Sequence, residues 1–320
     1  LYSAQNKSRQ GKPDMARIEA NGIEIEYEET GSPNDPLMLL VSGFSGQLTR
    51  WPDSLKRGLA DAGRRIITFD NRDIGLSTEF SGVVPPAPRD IVSAISGGKA
   101  PQDVVPYLLE DMAADAAALI AELGADKADI MGASMGGMIV QLMALNHPDR
   151  VRTLIPVMTT SSAPDLPRST PEAQAALTAV PESRSADALA ELAVKSRRVI
   201  GSHDDIRSTD DVIRAQTKAD FNRSDRPMGV ARQYAAIVAQ PGWHDRLGSI
   251  THPTLVLHGA MDPLIRADAG RDIASRIPGA ELEVIEKWGH DLPDRIVPTL
   301  LNRIIPFLGR WVPEEAILPQ

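Results

Sequence analysis

Apolar segments alternate with helical segments along most of the chain, and this alternation restricts the fold more than any other feature. The predicted strand runs are residues 36–43, 65–70, 128–132, 152–158, 253–259 and 281–286. The first run, PLMLLVSG, is apolar throughout, as expected for a strand that is covered on both faces. Strands separated by helices predict an α/β fold with a mostly parallel central sheet and helices on both of its faces. Asn21 and Gly22 lie inside an alternating segment, which predicts a hairpin and antiparallel first strands.

The composition changes along the 320 residues and suggests a division into parts. Residues 1–14 are polar and aperiodic, so we interpret them as a disordered tail or an expression remnant. From 162 to 247 the chain is polar and alanine-rich, with helical periodicity and no strand pattern. We therefore expect an α/β core made of residues 15–161 and 248–320, with a helical cap inserted at 162–247.

Charge and cysteine content argue against several classes of function. The formal net charge is −9 and no block of Lys or Arg occurs, which disfavours nucleic acid or an anionic membrane as partner. No apolar run approaches the roughly 18 residues of a spanning helix, and the N-terminus lacks a signal-peptide pattern. We expect a cytoplasmic protein. The absence of cysteine excludes disulfides, thiolate nucleophiles and cysteine-ligated metals.

The segment GASMGG places Ser134 between the predicted strand 128–132 and a helix that begins near Met135. A Gly-x-Ser-x-Gly pattern at a strand–helix turn is typical of a nucleophile elbow. Gly132 and Gly136 leave room for the tight turn that holds the hydroxyl out at the carboxyl end of the sheet. The helix start offers the Met135 N–H to an oxyanion. The alternative is a glycine-rich turn in which Ser134 only caps the helix.

A nucleophilic serine needs a base, and the base needs an acid to orient it. His290, in KWGHDLP, follows the last predicted strand and is the predicted base, because site residues lie beyond the carboxyl ends of parallel strands. Asp262, in HGAMDPLI, follows the preceding strand and is the predicted acid, with Asp165 as second choice. A turn role before Pro263 is the alternative for Asp262.

Other histidine and acidic residues receive structural interpretations. His147 stands at a helix end before a proline, where capping is expected. His258 lies near the end of a predicted strand. We expect Asp291 and Asp294 to be surface or cap residues.

The loop SGFSGQ, after the first apolar run, should supply the second oxyanion donor. Phe44 N–H is the candidate, and Gly43 lets the backbone approach a substrate. An apolar wall is the plainer interpretation of Phe44. Met158, Tyr234 and Trp243 are candidates for apolar walls of a substrate pocket, or else ordinary core residues.

Taken together, these residues resemble the α/β-hydrolase superfamily from about Ile18 to Trp311. FDNRDIGLS at 69–77 is similar to the family's Asp-x-Arg-x-x-Gly-x-Ser turn, which we interpret as structural. The 25-residue stretch LLVSGFSGQLTRWPDSLKRGLADAG and the segment KWGHDLP are most similar to aclacinomycin methylesterases and related serine esterases, some of which act on macrolide lactones. Ser42 and Gly43 stand where many members carry His-Gly, a departure that leaves the backbone donor in place.

The resemblance implies a serine carboxylic-ester hydrolase that uses Ser134, His290 and Asp262 and needs neither metal nor cofactor. Its substrate would be a small molecule, either a short-to-medium acyl or methyl ester or, alternatively, a macrocyclic lactone. Perhydrolase, C–C hydrolase and thioesterase activities also keep a serine and stay open. So does a non-catalytic ligand-binding protein of the same fold. We expect a monomer or a homodimer.

Overall fold

The computed structural model describes residues 15–311, in which eight strands form one sheet. The strands are β1 (Met15–Ala20), β2 (Ile23–Thr30), β3 (Leu37–Val41), β4 (Arg65–Phe69), β5 (Ala128–Ala133), β6 (Val151–Val157), β7 (Leu255–Gly259) and β8 (Glu281–Ile285). Their order across the sheet is β1-β2-β4-β3-β5-β6-β7-β8. The predicted tail, residues 1–14, lies outside the described residues.

Helices connect most of the strands. They are α1 (Asp53–Asp61), α2 (Pro88–Ser96), α3 (Leu109–Glu122), α4 (Met135–Asn146), α5 (Pro171–Leu177), α6 (Ala186–Ile200), α7 (Asp210–Arg223), α8 (Pro227–Ala239), α9 (Ala267–Arg276) and α10 (Val297–Gly309). None of the helices between residues 15 and 311 is long and apolar enough to cross a membrane.

The sheet is antiparallel at one end and parallel over the rest. β1 pairs with β2, and β2 with β4, in antiparallel fashion, whereas β4, β3, β5, β6, β7 and β8 run parallel. Asn21 and Gly22 join β1 to β2 with φ of 52° and 75°, the left-handed region that this pair of residues tolerates. The predicted mostly parallel sheet with a starting hairpin is confirmed.

Both faces of the sheet are covered, which explains why β3 is apolar at every position. On β3, Leu39 packs into a cluster with α3, α4 and α9, whereas Leu40 packs into a second cluster on the opposite face with α1 and α10. Successive side chains of a strand point to opposite faces, so a strand without polar residues can serve two cores.

Four helices, α5 to α8, lie between β6 and β7, and we refer to them as the inserted helices. Three of them begin where the sequence supplies a capping hydroxyl: Thr170, Ser185 and Thr209 each accept an N–H from the first turn. The predicted boundaries of a cap at 162–247 stay a prediction.

The turn after β4 supports the neighbouring loop. Asp70 accepts the N–H groups of Leu48 and Leu76 through its two carboxylate oxygens, at 2.8 and 2.9 Å. A Cβ on Gly75, whose φ is +59°, would lie 2.0 Å from Asp70 Oδ2, so only glycine fits there. Burial raises the pKa of Asp70, and the guanidinium of Arg223 partly offsets this. The turn thereby fixes the segment that follows β3.

Candidate active site

Ser134 adopts a strained conformation at the sharp turn between β5 and α4. Its φ is +56° and its ψ is −120°, a region that residues with side chains seldom occupy. A Cβ on Gly132 would lie 2.1 Å from Gly136 O, and one on Gly136 would lie 2.0 Å from Val41 O. Both glycines are therefore required by packing, and the turn aims the serine away from the sheet.

The Ser134 hydroxyl bonds to an imidazole and not to its own helix. Its side chain makes no capping bond to α4, whereas its Oγ lies 2.9 Å from His290 Nε2. His290 Nδ1 lies 2.6 Å from Asp262 Oδ2. The structure thus joins the three predicted residues in one hydrogen-bonded chain, with both Asp262 and His290 buried.

Asp262 serves its own turn and His290 at the same time. Its Oδ1 accepts the N–H groups of Leu264 and Ile265, both at 2.9 Å, while its Oδ2 faces His290. His258 Nε2 donates to Ile265 O at 2.7 Å and thereby holds the same turn. Burial lowers the pKa of His258, which favours the neutral ring. The bonds within the turn and the bond to His290 therefore use different oxygens of one carboxylate.

The backbone of the His290 loop is held by the end of α6. His290 N–H donates to Ile200 O at 2.7 Å, and Arg197 Nη1 donates to His290 O at 3.3 Å. Gly289 N–H donates to Ser202 Oγ at 3.1 Å. The inserted helices therefore contribute directly to the placement of the imidazole.

The structure corrects the expectation for Asp291. This residue is buried rather than on the surface, because its Oδ1 accepts both the N–H and the O–H of Ser202. Asp294 is exposed, as expected, and accepts the Ser54 hydroxyl at 2.6 Å. Asp165, the second-choice acid, is exposed, and no bond from its side chain to His290 occurs in the described part of the chain.

Two backbone N–H groups next to Ser134 are free to bind an anion. Within residues 15–311, neither Met135 N–H nor Phe44 N–H donates to a protein acceptor. Gly43 brings the Phe44 loop against the elbow, since a Cβ on Gly43 would lie 3.2 Å from Ser134 Cβ and 3.0 Å from Ala133 O. Free N–H groups at a helix start can stabilise developing negative charge.

A cavity of about 320 Å³ opens above Ser134 and His290. Gly43, Phe44 and Met158 line it, and the roles of Gly43 and Met158 as substrate contacts stay predictions. The inserted helices and the His290 loop add apolar walls from Leu177, Ile200, Ile213, Leu264 and Leu292, together with the cationic side chains Arg50 and Arg197.

Tyr234 and Trp243 do not line this cavity, so packing roles replace their assignment to the substrate pocket. Tyr234 lies behind Phe44, with 5.7 Å between the ring centroids, and faces a separate surface groove. Trp243 is buried in the core, where its Nε1–H donates to Gln141 Oε1 at 3.1 Å. A buried indole satisfies its N–H in this way.

The described residues contain no group of three or more His, Cys, Asp or Glu side chains arranged to hold a metal ion. The polar centre of the site is the chain of Ser134, His290 and Asp262.

Comparison with known proteins agrees with this architecture. The family model of the alpha/beta hydrolase fold matches residues 36–294, which is most of the chain. The chain belongs to the alpha/beta hydrolase fold family. This membership confirms the predicted fold and the predicted class of enzyme, a hydrolase.

Among the relatives, rhodomycin D methylesterase DauP of Streptomyces sp. (strain C5) is 26% identical over 86% of this chain and 92% of that protein. A putative carbamate hydrolase, RutD of Variovorax paradoxus, is 26% identical over 90% of this chain and 97% of that protein. The solved structure of a thermophilic esterase from Thermogutta terrifontis superposes with a TM-score of 0.69, at 25% identity over 94% of this chain and all of that one. The predicted resemblance to methylesterases is confirmed.

Proposed function

We propose that the chain is a serine carboxylic-ester hydrolase acting on short-to-medium acyl esters or methyl esters. The observation that carries this proposal is the continuous hydrogen bonding from Asp262 through His290 to Ser134, which ends at a serine in a strained turn facing a cavity. The methylesterase and esterase relatives support the ester as substrate.

In the proposed mechanism, His290 Nε2 takes the proton of Ser134 as Oγ attacks the ester carbonyl carbon. Asp262 Oδ2 accepts the Nδ1–H, which fixes the tautomer and stabilises the imidazolium that forms. Met135 N–H and Phe44 N–H bind the oxygen of the tetrahedral intermediate. His290 then protonates the departing alcohol, and the C–O bond to it breaks.

Hydrolysis of the acyl-enzyme repeats these steps with water as nucleophile. His290 deprotonates the water, the carbonyl carbon passes through a second tetrahedral intermediate, and Ser134 leaves with the proton returned by His290. The products are a carboxylic acid and an alcohol. No cofactor takes part in this proposal.

The inserted helices are proposed to form a cap that shapes the acyl pocket. α5, α6 and α7 supply Leu177, Ile200 and Ile213 to the cavity wall. A volume of about 320 Å³ lies at the lower end of the range of about 300–1,000 Å³ for ligand sites. This size favours a small ester over a macrocyclic lactone.

Hydrolysis of p-nitrophenyl esters from acetate to decanoate tests the proposal. Wild type should hydrolyse the shorter members and be labelled by a fluorophosphonate, whereas Ser134→Ala should lose both properties. Ser275→Ala is the matched control, because this exposed serine bonds only locally, to Asp272 O. Equal turnover by wild type and Ser134→Ala would overturn the mechanism. A protein that takes the label yet turns over no ester would point to lactones instead.

A further inference from the structure

Arg197 is a charged residue in the wall of the cavity whose charge the proposed mechanism does not use. It lies near the end of α6 and lines the same cavity as Ser134 and His290. The one hydrogen bond of its side chain in the described structure is the donation from Nη1 to His290 O, at 3.3 Å. A neutral donor could make that bond equally well, so the bond does not account for the positive charge.

The guanidinium of Arg197 has no acidic partner at contact distance. Among residues 15–311, no carboxylate oxygen lies within 4.0 Å of it, whereas the buried Arg64, Arg72 and Arg232 each contact an aspartate. Arg197 is partly buried, and a cation that loses solvating water without gaining a charged partner loses stability. Arg197 therefore differs from the arginines that hold the fold together.

The nearest charges do not satisfy Arg197. Asp291, which also lines the cavity, attracts Arg197 from beyond contact distance: its Oδ1 accepts two bonds from Ser202, and neither of its carboxylate oxygens lies within 4.0 Å of the guanidinium. Arg50, the other cation of the cavity, is paired with Asp220 and repels Arg197. Burial lowers the pKa of the Arg197 guanidinium, and Arg50 lowers it further while Asp291 opposes the change.

We propose that Arg197 binds a carboxylate of the substrate, so that the enzyme acts on small esters that carry a free carboxylate. A guanidinium presents its donors in a planar fork that matches a carboxylate, and four of its five N–H groups have no partner among the described residues. Because Arg197 and Ser134 face one cavity of about 320 Å³, the carboxylate and the ester belong to one short molecule. This inference rests on the proposed ester hydrolysis.

The carboxylate in this proposal is bound and not consumed. Ser134 Oγ bonds to the ester carbonyl carbon, the bond to the alcohol oxygen breaks, and water later releases the acyl group. A half-ester of a dicarboxylic acid would thus give the dicarboxylic acid and an alcohol. The positive charge of Arg197 makes the acidic ester a better substrate than a neutral ester of the same shape.

Two pairs of isosteric substrates test the proposal. Mono-p-nitrophenyl adipate against p-nitrophenyl 6-methylheptanoate places the carboxylate on the acyl side. Carboxymethyl hexanoate against isobutyl hexanoate, followed by pH-stat titration, places it on the alcohol side. The quantity measured is the ratio of kcat/KM for the acidic ester to that for the neutral ester. If a variant displaces His290, kcat/KM changes for the acidic and the neutral ester alike. The ratio of the two values therefore reports only the recognition of the charge.

In at least one pair, the ratio should fall about 10- to 100-fold from wild type to Arg197→Met, the range for loss of hydrogen bonds to a charged group. Arg197→Lys should give an intermediate ratio, since it keeps the charge and loses the fork. Arg198→Met is the matched control, because this neighbouring arginine is exposed and pairs with Asp210. Its ratio should equal that of wild type.

Unchanged ratios for Arg197→Met in both pairs, with neutral esters still hydrolysed by wild type, would overturn this inference and leave the proposed function standing. Failure of wild type to hydrolyse any of the four esters would overturn both. If Arg197→Met does not fold, the proposal is tested with Arg197→Lys, by comparing its kcat/KM ratios and its competitive inhibition by free adipate with those of wild type. Inhibition that is equally strong in wild type and Arg197→Lys, together with equal ratios, would contradict a role for the guanidinium.

Discussion

Replacing Asp262 with asparagine changes the proton on His290 while leaving the shape of the site almost intact. An asparagine Oδ1 can still accept the N–H groups of Leu264 and Ile265, as the aspartate Oδ1 does at 2.9 Å. The NH₂ group then takes the place of Oδ2, 2.6 Å from His290 Nδ1. Because NH₂ only donates, Nδ1 must accept, and the ring proton moves to Nε2. The imidazole then donates to Ser134 and cannot take its proton.

The size of the effect follows from the loss of the base. In the general template of a serine triad, the corresponding aspartate-to-asparagine change lowers kcat by about 10⁴-fold. At about 1.36 kcal/mol for each factor of ten, this is about 5.4 kcal/mol of barrier. The turn of Asp262 keeps its two backbone bonds, so we expect a melting temperature within about 4 °C of wild type, the shift that 1 kcal/mol produces.

The assay is kcat for p-nitrophenyl butyrate at pH 7.5, with circular dichroism to verify the fold. Asp165→Asn is the matched control, since Asp165 is the other acid that the sequence offers and is exposed. Asp262→Ala, which also removes the acceptor for Leu264 and Ile265, should lose stability as well as activity. A folded Asp262→Asn protein with more than a tenth of wild-type kcat would refute the assignment, as would a larger loss in Asp165→Asn.

Two further predictions concern stability. Gly136→Ala should cost about 1–3 kcal/mol in the free energy of unfolding by urea, because its Cβ would lie 2.0 Å from Val41 O. Gly309→Ala, where a Cβ meets no atom within 4 Å, should not be destabilised, and equal losses would contradict the packing argument. Burial lowers the pKa of His258 in the folded protein. Below a pH of about 6.5 the unfolded chain therefore binds a proton at His258 that the folded chain does not bind. The free energy of unfolding should fall as the pH decreases from about 6.5 towards the folded pKa. His258→Gln keeps a donor for Ile265 O and should lose less free energy of unfolding than wild type between pH 7.5 and pH 5.5. An equal loss in the two proteins would show that His258 does not cause the pH dependence.

The parts of the site that the sequence predicts are those that depend on local order along the chain. Ser134, Asp262 and His290 each follow a predicted strand by a few residues. The carboxyl ends of parallel strands lie at one edge of a sheet. The order of the strands alone therefore places Asp262 near His290, 28 positions later, and near Ser134, 128 positions earlier. The glycines around Ser134 add a second, steric signal.

The parts that the sequence does not predict depend on which side of a helix meets the rest of the protein. Arg197 belongs to a polar helix whose periodicity does not reveal that its end lies against a loop more than 90 residues later. The sequence suggests Tyr234 and Trp243 for the pocket because aromatic side chains suit both pockets and cores. Their positions follow from packing against Phe44 and Gln141, which no local pattern encodes. Asp291 is buried for the same reason, since its partner Ser202 comes from the inserted segment.

His290 is held from two directions, and the two sets of bonds have different origins. Asp262, from the sheet, fixes the rotation of the ring through Nδ1. Ile200 and Arg197, from α6, fix the backbone through the N–H and the C=O of the same residue. A displacement of the end of α6 would therefore move His290 and the cationic wall of the cavity together. The inserted segment thus couples the shape of the cavity to the position of His290, the proposed base, so changes in α6 made to alter specificity should also alter kcat.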